Sequence, residues 1–229
     1  MKYYKIEVSC EPSIIGVNDA SAQVEILTKP AKHSFINENE RQYYNDFVDK
    51  NEKELNRAYM DNFAIIEPSK ISIIYAFKTK KRVKEVDIMR YRVYVRGLDF
   101  VISKKLLDLI EKNKLSNYNR IKVKVEDFDT EYYLVGFPII SPKKFDFEKS
   151  TFYDDFRSKK KVFRNYEEYN NYDGFLDPKN IVLTDRLELD ILKIPGSVFF
   201  SERLLNEIER MDFKALEINK NMTIENKWI

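Results

Sequence analysis

The apolar positions of the chain change period several times. Tyr3–Val8 (YYKIEV) is rich in aromatic and β-branched residues and predicts a strand, as does Ala22–Thr28 (AQVEILT). The intervening EPSIIGVNDAS carries turn residues and reads as a loop. From Glu38 to Met60 the apolar residues Tyr44, Phe47, Val48, Leu55, Ala58 and Tyr59 recur at helical spacing, predicting an amphipathic helix with one buried stripe. Pro68 breaks the chain, and Ile71–Phe77 (ISIIYAF) reads as a buried strand. Tyr91–Val95 alternates, Gly97 marks a turn, and Phe100–Ile102 leads through Ser103 into a helix, KKLLDLIEKNK. Ile121–Val125 alternates strictly and is joined to Tyr132–Phe137 by EDFDTE, the pattern of a hairpin.

Beyond Ile140 the periodicity dissolves. Residues 140–177 mix aromatic and charged side chains without one period, and predict a long excursion of short helices and irregular loops. Order resumes with Ile181–Leu183 and Asp190–Ile194 (DILKI). Pro195–Gly196 then turns the chain, and Val198–Phe200 leads into a second serine-initiated helix. Ala215–Ile218 reads as the closing strand, followed by a tail that is polar apart from Trp228.

Two of these segments echo each other. FVISKKLLDLIEK (100–112) aligns without a gap on VFFSERLLNEIER (198–210). Each has three apolar residues, a serine, two charged residues, Leu-Leu, and Ile-Glu followed by a base. Ser103 and Ser201 are placed to accept N–H bonds at the helix starts, and Lys112 and Arg210 fall near the ends, where the helix dipole favours cations. Shared capping rules could produce the echo, or the chain could hold two related strand–helix–strand elements. Neither reading is catalytic, because no base accompanies the serines.

Composition removes several function classes. The chain has 229 residues, with 40 Lys and Arg against 38 Asp and Glu, so it lacks the basic excess of a general polyanion binder. With 43% apolar residues it can fill a core. No apolar run reaches the roughly 18–20 residues of a membrane span, and the N-terminus has no uninterrupted apolar stretch of the secretory kind. The single cysteine, Cys10, precludes an internal disulfide and fits a cytoplasmic protein. The single histidine, His33, lies in a polar stretch and reads as a solvated loop residue; with Cys10 it is too little for a usual zinc site or a nucleophile–histidine pair. Neither GxGxxG nor GxxxxGK[ST] occurs. Glu225-Asn226-Lys227 has the E-x-K spacing of some metal-dependent nucleases, but without a paired Asp on a preceding strand. No enzyme, cofactor or metal is expected.

The arrangement resembles the immunity proteins of bacterial polymorphic-toxin systems, and in particular immunity family eleven, once a domain of unknown function and first described from a myxobacterial protein. The resemblance is carried by LDFVISKKLLDLIEKNKL with its following strand and YYLVGF segment, by the run containing DILKI, and by VFFSERLLNEIERMDFKALEI. Together these cover roughly residues 88–140 and 181–218. The resemblance implies a non-catalytic protein that neutralises a cognate toxin by covering its active site or clamping its fold.

Three surfaces are candidates for that contact. In NYEEYNNYDG (165–174), Tyr166, Tyr169 and Tyr172 are spaced three apart with Glu167, Glu168 and Asp173 among them. Tyrosine gives large contact area at low entropic cost, and acidic neighbours could speed capture of a basic toxin. The same tyrosines could instead pack a surface helix on the core. The basic runs 78–84 (KTKKRVK) and 157–164 (RSKKKVFR) could bind phosphates, with Phe156 and Phe163 at the second run as stacking rings for a single strand, giving a nucleic-acid-binding module as the alternative function, or could be solvated loops and edge strands. The whole reading is an α+β protein with a mixed or mostly antiparallel sheet and flanking helices. It is one domain over 1–229, with a possible N-terminal subdomain over 1–95 and a main domain over 96–229. Its partner is a toxin protein, with no membrane and no nucleic acid expected.

Overall fold

The computed structural model describes residues 1–18 and 21–226. Lys227 of the E-x-K spacing and Trp228 lie outside the described residues. In chain order the elements begin with β1 (Lys2–Val8), α1 (Pro12–Ile15), β2 (Val24–Glu25), and the hairpin strands β3 (Thr28–Lys29) and β4 (Lys32–His33). Then follow α2 (Glu38–Lys53), β5 (Ile74–Lys78), β6 (Ile88–Met89), β7 (Tyr91–Arg92), β8 (Phe100–Ser103), α3 (Lys104–Ile110), β9 (Asn119–Val125) and β10 (Tyr132–Gly136). The last third contains β11 (Thr151–Asp154), β12 (Lys159–Lys161), α4 (Tyr166–Asn170), β13 (Leu176–Leu183), β14 (Ile191–Ile194), β15 (Ser197–Ser201), α5 (Glu202–Ile208) and β16 (Leu216–Asn226).

The fold is α+β, built on two seven-stranded sheets. One has the order β6-β8-β10-β9-β5-β2-β7 and the other β14-β15-β1-β16-β13-β11-β12. The first six strands correspond in order and in direction. Among these six strands of each sheet the pairs are antiparallel except the fourth with the fifth, β9 with β5 and β16 with β13, which run parallel. Register agrees as well. Tyr132 faces Ser103 as Tyr3 faces Ser201, and Ile88 faces Ile102 as Ile191 faces Phe200. The echo between 100–112 and 198–210 is therefore one part of a duplicated unit. In the second unit the place of β10 is taken by β1, from the opposite end of the chain. Strands from the first 95 residues lie in both sheets, so the sheets do not divide the chain at residue 95.

The two units are tied by a reciprocal exchange. The Ser103 hydroxyl donates to Asp87 Oδ1 at 2.6 Å and accepts the N–H of Leu106, capping α3. The Ser201 hydroxyl donates to Asp190 Oδ1 at 2.6 Å and accepts the N–H of Leu204, capping α5. The second oxygen of each carboxylate reaches the other unit: Asp87 Oδ2 accepts the N–H of Lys214 at 2.8 Å, and Asp190 Oδ2 accepts the N–H of Lys114 at 2.9 Å. The backbone repeats the exchange, with Asp87 N–H donating to Lys214 O and Asp190 N–H to Lys114 O. The Tyr132 and Tyr3 hydroxyls each donate to the carbonyl just before the aspartate, Val86 and Leu189, at 2.9 Å. Each helix is thus capped by a serine held by a carboxylate that is also anchored on the opposite unit.

A large core between the sheets takes the inward faces of both helices, Leu106, Leu107 and Ile110 with Leu204, Leu205 and Ile208. Strand β9 shows the one-sided pattern, with Ile121, Val123 and Val125 buried and Arg120, Lys122 and Lys124 exposed. The second sheet is buried on both faces: Val198 and Phe200 point into the large core, while Phe199 points into a smaller aromatic one with Phe147, Phe152 and Phe163.

Several elements depart from the periodicity. The helix expected over 38–60, capped by Asn37, stops at Lys53 and continues as two 3₁₀ turns. There the backbone of Ala58 and Met60 is taken by Ile139, which fixes a course no α-helix could follow. Strand character over 91–95 is confined to Tyr91–Arg92. The excursion at 140–177 contains a hairpin, β11–β12, besides the short helix α4. Residues 219–226 of the polar tail form the far half of β16, which is held between β1 and β13 and buries Met222 and Ile224. His33 is half-buried in β4, with its Nδ1 accepting the N–H of Phe35.

Asp190 is buried and its pKa is lowered. Burial pushes it upward, but the bonds from Arg203, Ser201 and the Lys114 N–H together outweigh that. Its stabilising contribution is therefore present above the unfolded carboxylate pKa of about 4 and is lost as pH falls through the lower folded value. We predict that Asp190→Ala destabilises the protein by about 3 kcal/mol and Asp87→Ala, at a half-buried site, by about 1–2 kcal/mol in urea unfolding. Asp190→Asn flattens the decline of stability below about pH 4.

Candidate functional site

The two units differ most at their far strands. In the first sheet β7 runs parallel to β2, whereas in the second β12 runs antiparallel to β11 as the return arm of a hairpin. That hairpin, α4 and the start of β13 form a lobe. The Asp154 side chain is fully buried at its base. It accepts the Tyr172 hydroxyl, the Arg157 guanidinium at 2.9 Å and the Arg157 backbone N–H at 3.0 Å. The hydrogen bond from Tyr172, followed by those from Arg157, holds the Asp154 carboxyl well below the usual range and pushes the Tyr172 phenol up. Arg157 also stacks on the Tyr172 ring and donates to the Asp173 carbonyl. Gly174 closes this packing, since a β-carbon there would lie 2.5 Å from the Tyr172 ring and 2.9 Å from Arg157.

The network fixes a tip that offers two aromatic rings to solvent. Phe156 is 83% exposed and Phe175 61% exposed, and the rings meet edge to face at 6.5 Å. With Arg157, Asp173 and Gly174 they line an open depression of about 530 Å³. Sequence reasoning noted Phe156 only together with Phe163, as rings beside the second basic run, and of those two Phe163 is buried. Phe175 was not noted, because exposure of a single aromatic in an aperiodic stretch leaves no periodic signal.

The residues 166–173 that the sequence marks lie in the same lobe, and of these Tyr172 and Asp173 reach the tip. Tyr169 packs on Phe147, Phe152 and Phe163, Tyr166 on Phe147, and Tyr172 on Phe163, all with ring centroids within 6.3 Å. The three tyrosines are half-buried on the smaller core, while Glu167, Glu168 and Asp173 are exposed. Glu168 is partly engaged, accepting the N–H of Arg164. The basic runs attach to different sheets and are partly used internally. Lys78 pairs with Asp127, Arg82 bonds Asn18, Lys84 donates to the Ser13 carbonyl, and Arg157 is held by Asp154. Lys80, Lys81 and Arg82 line a cleft of about 590 Å³ with Arg92.

The chain matches no protein-family model and no curated protein.

A second cavity, of about 370 Å³, lies between the two sheets. Asp87–Arg90 (DIMR) occupies in the first unit the place of Asp190–Lys193 (DILK) in the second, so Arg90 and Lys193 are counterparts, and both line this cavity. The repeated Asp-Ile-x-base tetrapeptide is a signal in the sequence that the helix alignment alone does not reach. The Lys193 side chain is 2% exposed and its Nζ lies 2.6 Å from Asp99 Oδ1, on a side chain 5% exposed. The other oxygen of Asp99 accepts the N–H of Phe137. Tyr94, an exposed residue, brings its phenol to the same place, where partial burial of that group and then Asp99 push it up against the opposing pull of Lys193. Among the described residues no group of three or more His, Cys, Asp or Glu side chains is placed to hold a metal ion, and no helix is long and apolar enough to cross a membrane.

Removing one member of a buried charge pair strands the other. Lys193→Met and Asp99→Asn should therefore be non-additive in urea unfolding, the double variant being more stable than the sum of the single losses by about 1–3 kcal/mol. Gly174→Ala should destabilise the lobe, read as faster hydrogen exchange over 154–176 than in the parent protein.

Proposed function

We propose that this protein is a non-catalytic immunity protein that binds and neutralises a cognate bacterial toxin, with the lobe around the β11–β12 hairpin as its contact face. One observation carries the choice of face. Phe156 and Phe175 are exposed on a tip whose backbone is held by Arg157 and Tyr172 bonded to the buried Asp154. Large aromatic side chains dominate interface energetics, and a tip ordered before binding loses little conformational entropy in the complex. The exposed Glu167, Glu168 and Asp173 of the same lobe suit a basic partner and would speed its capture. The resemblance of the duplicated strand–serine–helix unit to immunity family eleven supports the same reading.

The test is co-expression with the polypeptide encoded next to this protein. A co-purifying complex and rescue of growth are expected. Phe156→Ala/Phe175→Ala should weaken the complex by about 3 kcal/mol, or roughly a hundredfold, without changing the unfolding midpoint. A neighbour that is neither toxic nor bound overturns the immunity reading. A complex indifferent to the double substitution overturns the choice of face. Binding of nucleic acid that weakens steeply with salt and depends on Lys80 and Lys81 would favour the alternative module.

A further inference from the structure

The cavity between the sheets holds an ammonium group with donors to spare. Arg90, the counterpart of Lys193, is fully engaged in structure, donating to the Val8 and Ser9 carbonyls. Lys193 has no such role. Its Nζ touches Asp99 Oδ1 off the line that a hydrogen bond requires, and although the Tyr94 phenol stands beside it, no acceptor among the described residues meets it in good hydrogen-bond geometry. A buried ammonium left this way is costly unless a further acceptor reaches it. The space to admit one is present, since about 370 Å³ is within the range of small-molecule sites. Its charged lining is Lys5, Arg90 and Lys193 against Glu7 and Asp99, an excess of one positive charge. Phe100 and Val198, counterparts in the two units, supply apolar walls.

We propose that this cavity binds a small organic monoanion, its carboxylate on Lys193 Nζ and its apolar part against Phe100 and Val198. The single excess charge selects a monocarboxylate over a phosphate dianion, which would leave charge unpaired in a confined site. The Lys193–Asp99 contact persists beside the ligand, and no bond is made or broken. The proposal is independent of which partner the lobe binds.

Benzoate is the probe, followed by isothermal titration calorimetry and thermal unfolding, with benzyl alcohol as the uncharged analogue of the same shape and inorganic phosphate as the multiply charged anion. Benzoate is expected to bind saturably and raise the unfolding temperature, with benzyl alcohol and phosphate each at least about tenfold weaker. Lys193→Met/Asp99→Asn, which removes both charges of the pair together, should bring benzoate down to the level of benzyl alcohol. Ser197→Phe adds bulk to the cavity lining and removes neither charge, and should abolish binding, so the proposal stays testable if the double variant does not fold. It is overturned if benzoate gives no saturable binding at millimolar concentration, if phosphate is preferred, or if a folded variant binds benzoate like the parent protein.

Discussion

A carboxylate cannot be withdrawn from water unless its oxygens are supplied with donors. Here that requirement couples the two halves of the fold. Asp190 and Asp87 each satisfy one oxygen with a serine of their own unit and the other with a backbone N–H of the opposite unit. The serine passes the constraint on, because the oxygen that donates to the carboxylate also caps the following helix. A helix of seven residues is marginal alone. α3 and α5 hold their places because their first turns are fixed by this relay and their apolar faces share one core. Loss of either carboxylate would loosen a cap and an inter-unit junction together.

Given this frame, the candidate sites fall where the duplicated units cease to match. Arg90 and Lys193 occupy equivalent positions, yet one secures the end of β1 and the other is left facing a cavity. At the far strands, one unit ends in the two-residue β7 and the other extends into a hairpin, a short helix and a separate aromatic core. Shared features hold the architecture; the departures carry a buried ammonium and an exposed aromatic tip. The lobe also separates two roles that composition alone merges. Its tyrosines pack inward on phenylalanines, and the rings presented to solvent are Phe156 and Phe175.

Much of the fold was legible because local rules and tertiary packing agree. Strict alternation over Ile121–Val125 places three side chains inward and the lysines between them outward, as the sheet requires. Ser103 and Ser201 cap their helices where the pattern puts them, and the alignment of 100–112 on 198–210 marks equivalent elements. The lobe was legible only in part. NYEEYNNYDG was visible as an aromatic and acidic cluster, but α4 spans just Tyr166–Asn170, and what its rings face depends on residues as distant as Phe147.

The sequence by itself determined most of the local elements, the serine caps, the echo between 100–112 and 198–210, and the charge balance that argues against a general polyanion binder. Those properties depend on residues a few positions apart. The tertiary structure decided everything that needs distant partners. β1 completes the sheet formed by the other end of the chain, and the polar tail becomes strand because β1 and β13 flank it. Asp87 is paired with Lys214, Asp190 with Lys114, and Lys193 with Asp99 across separations of 76 residues or more. No local pattern encodes such pairings, because a buried polar group takes whichever donor the packed chain brings within reach.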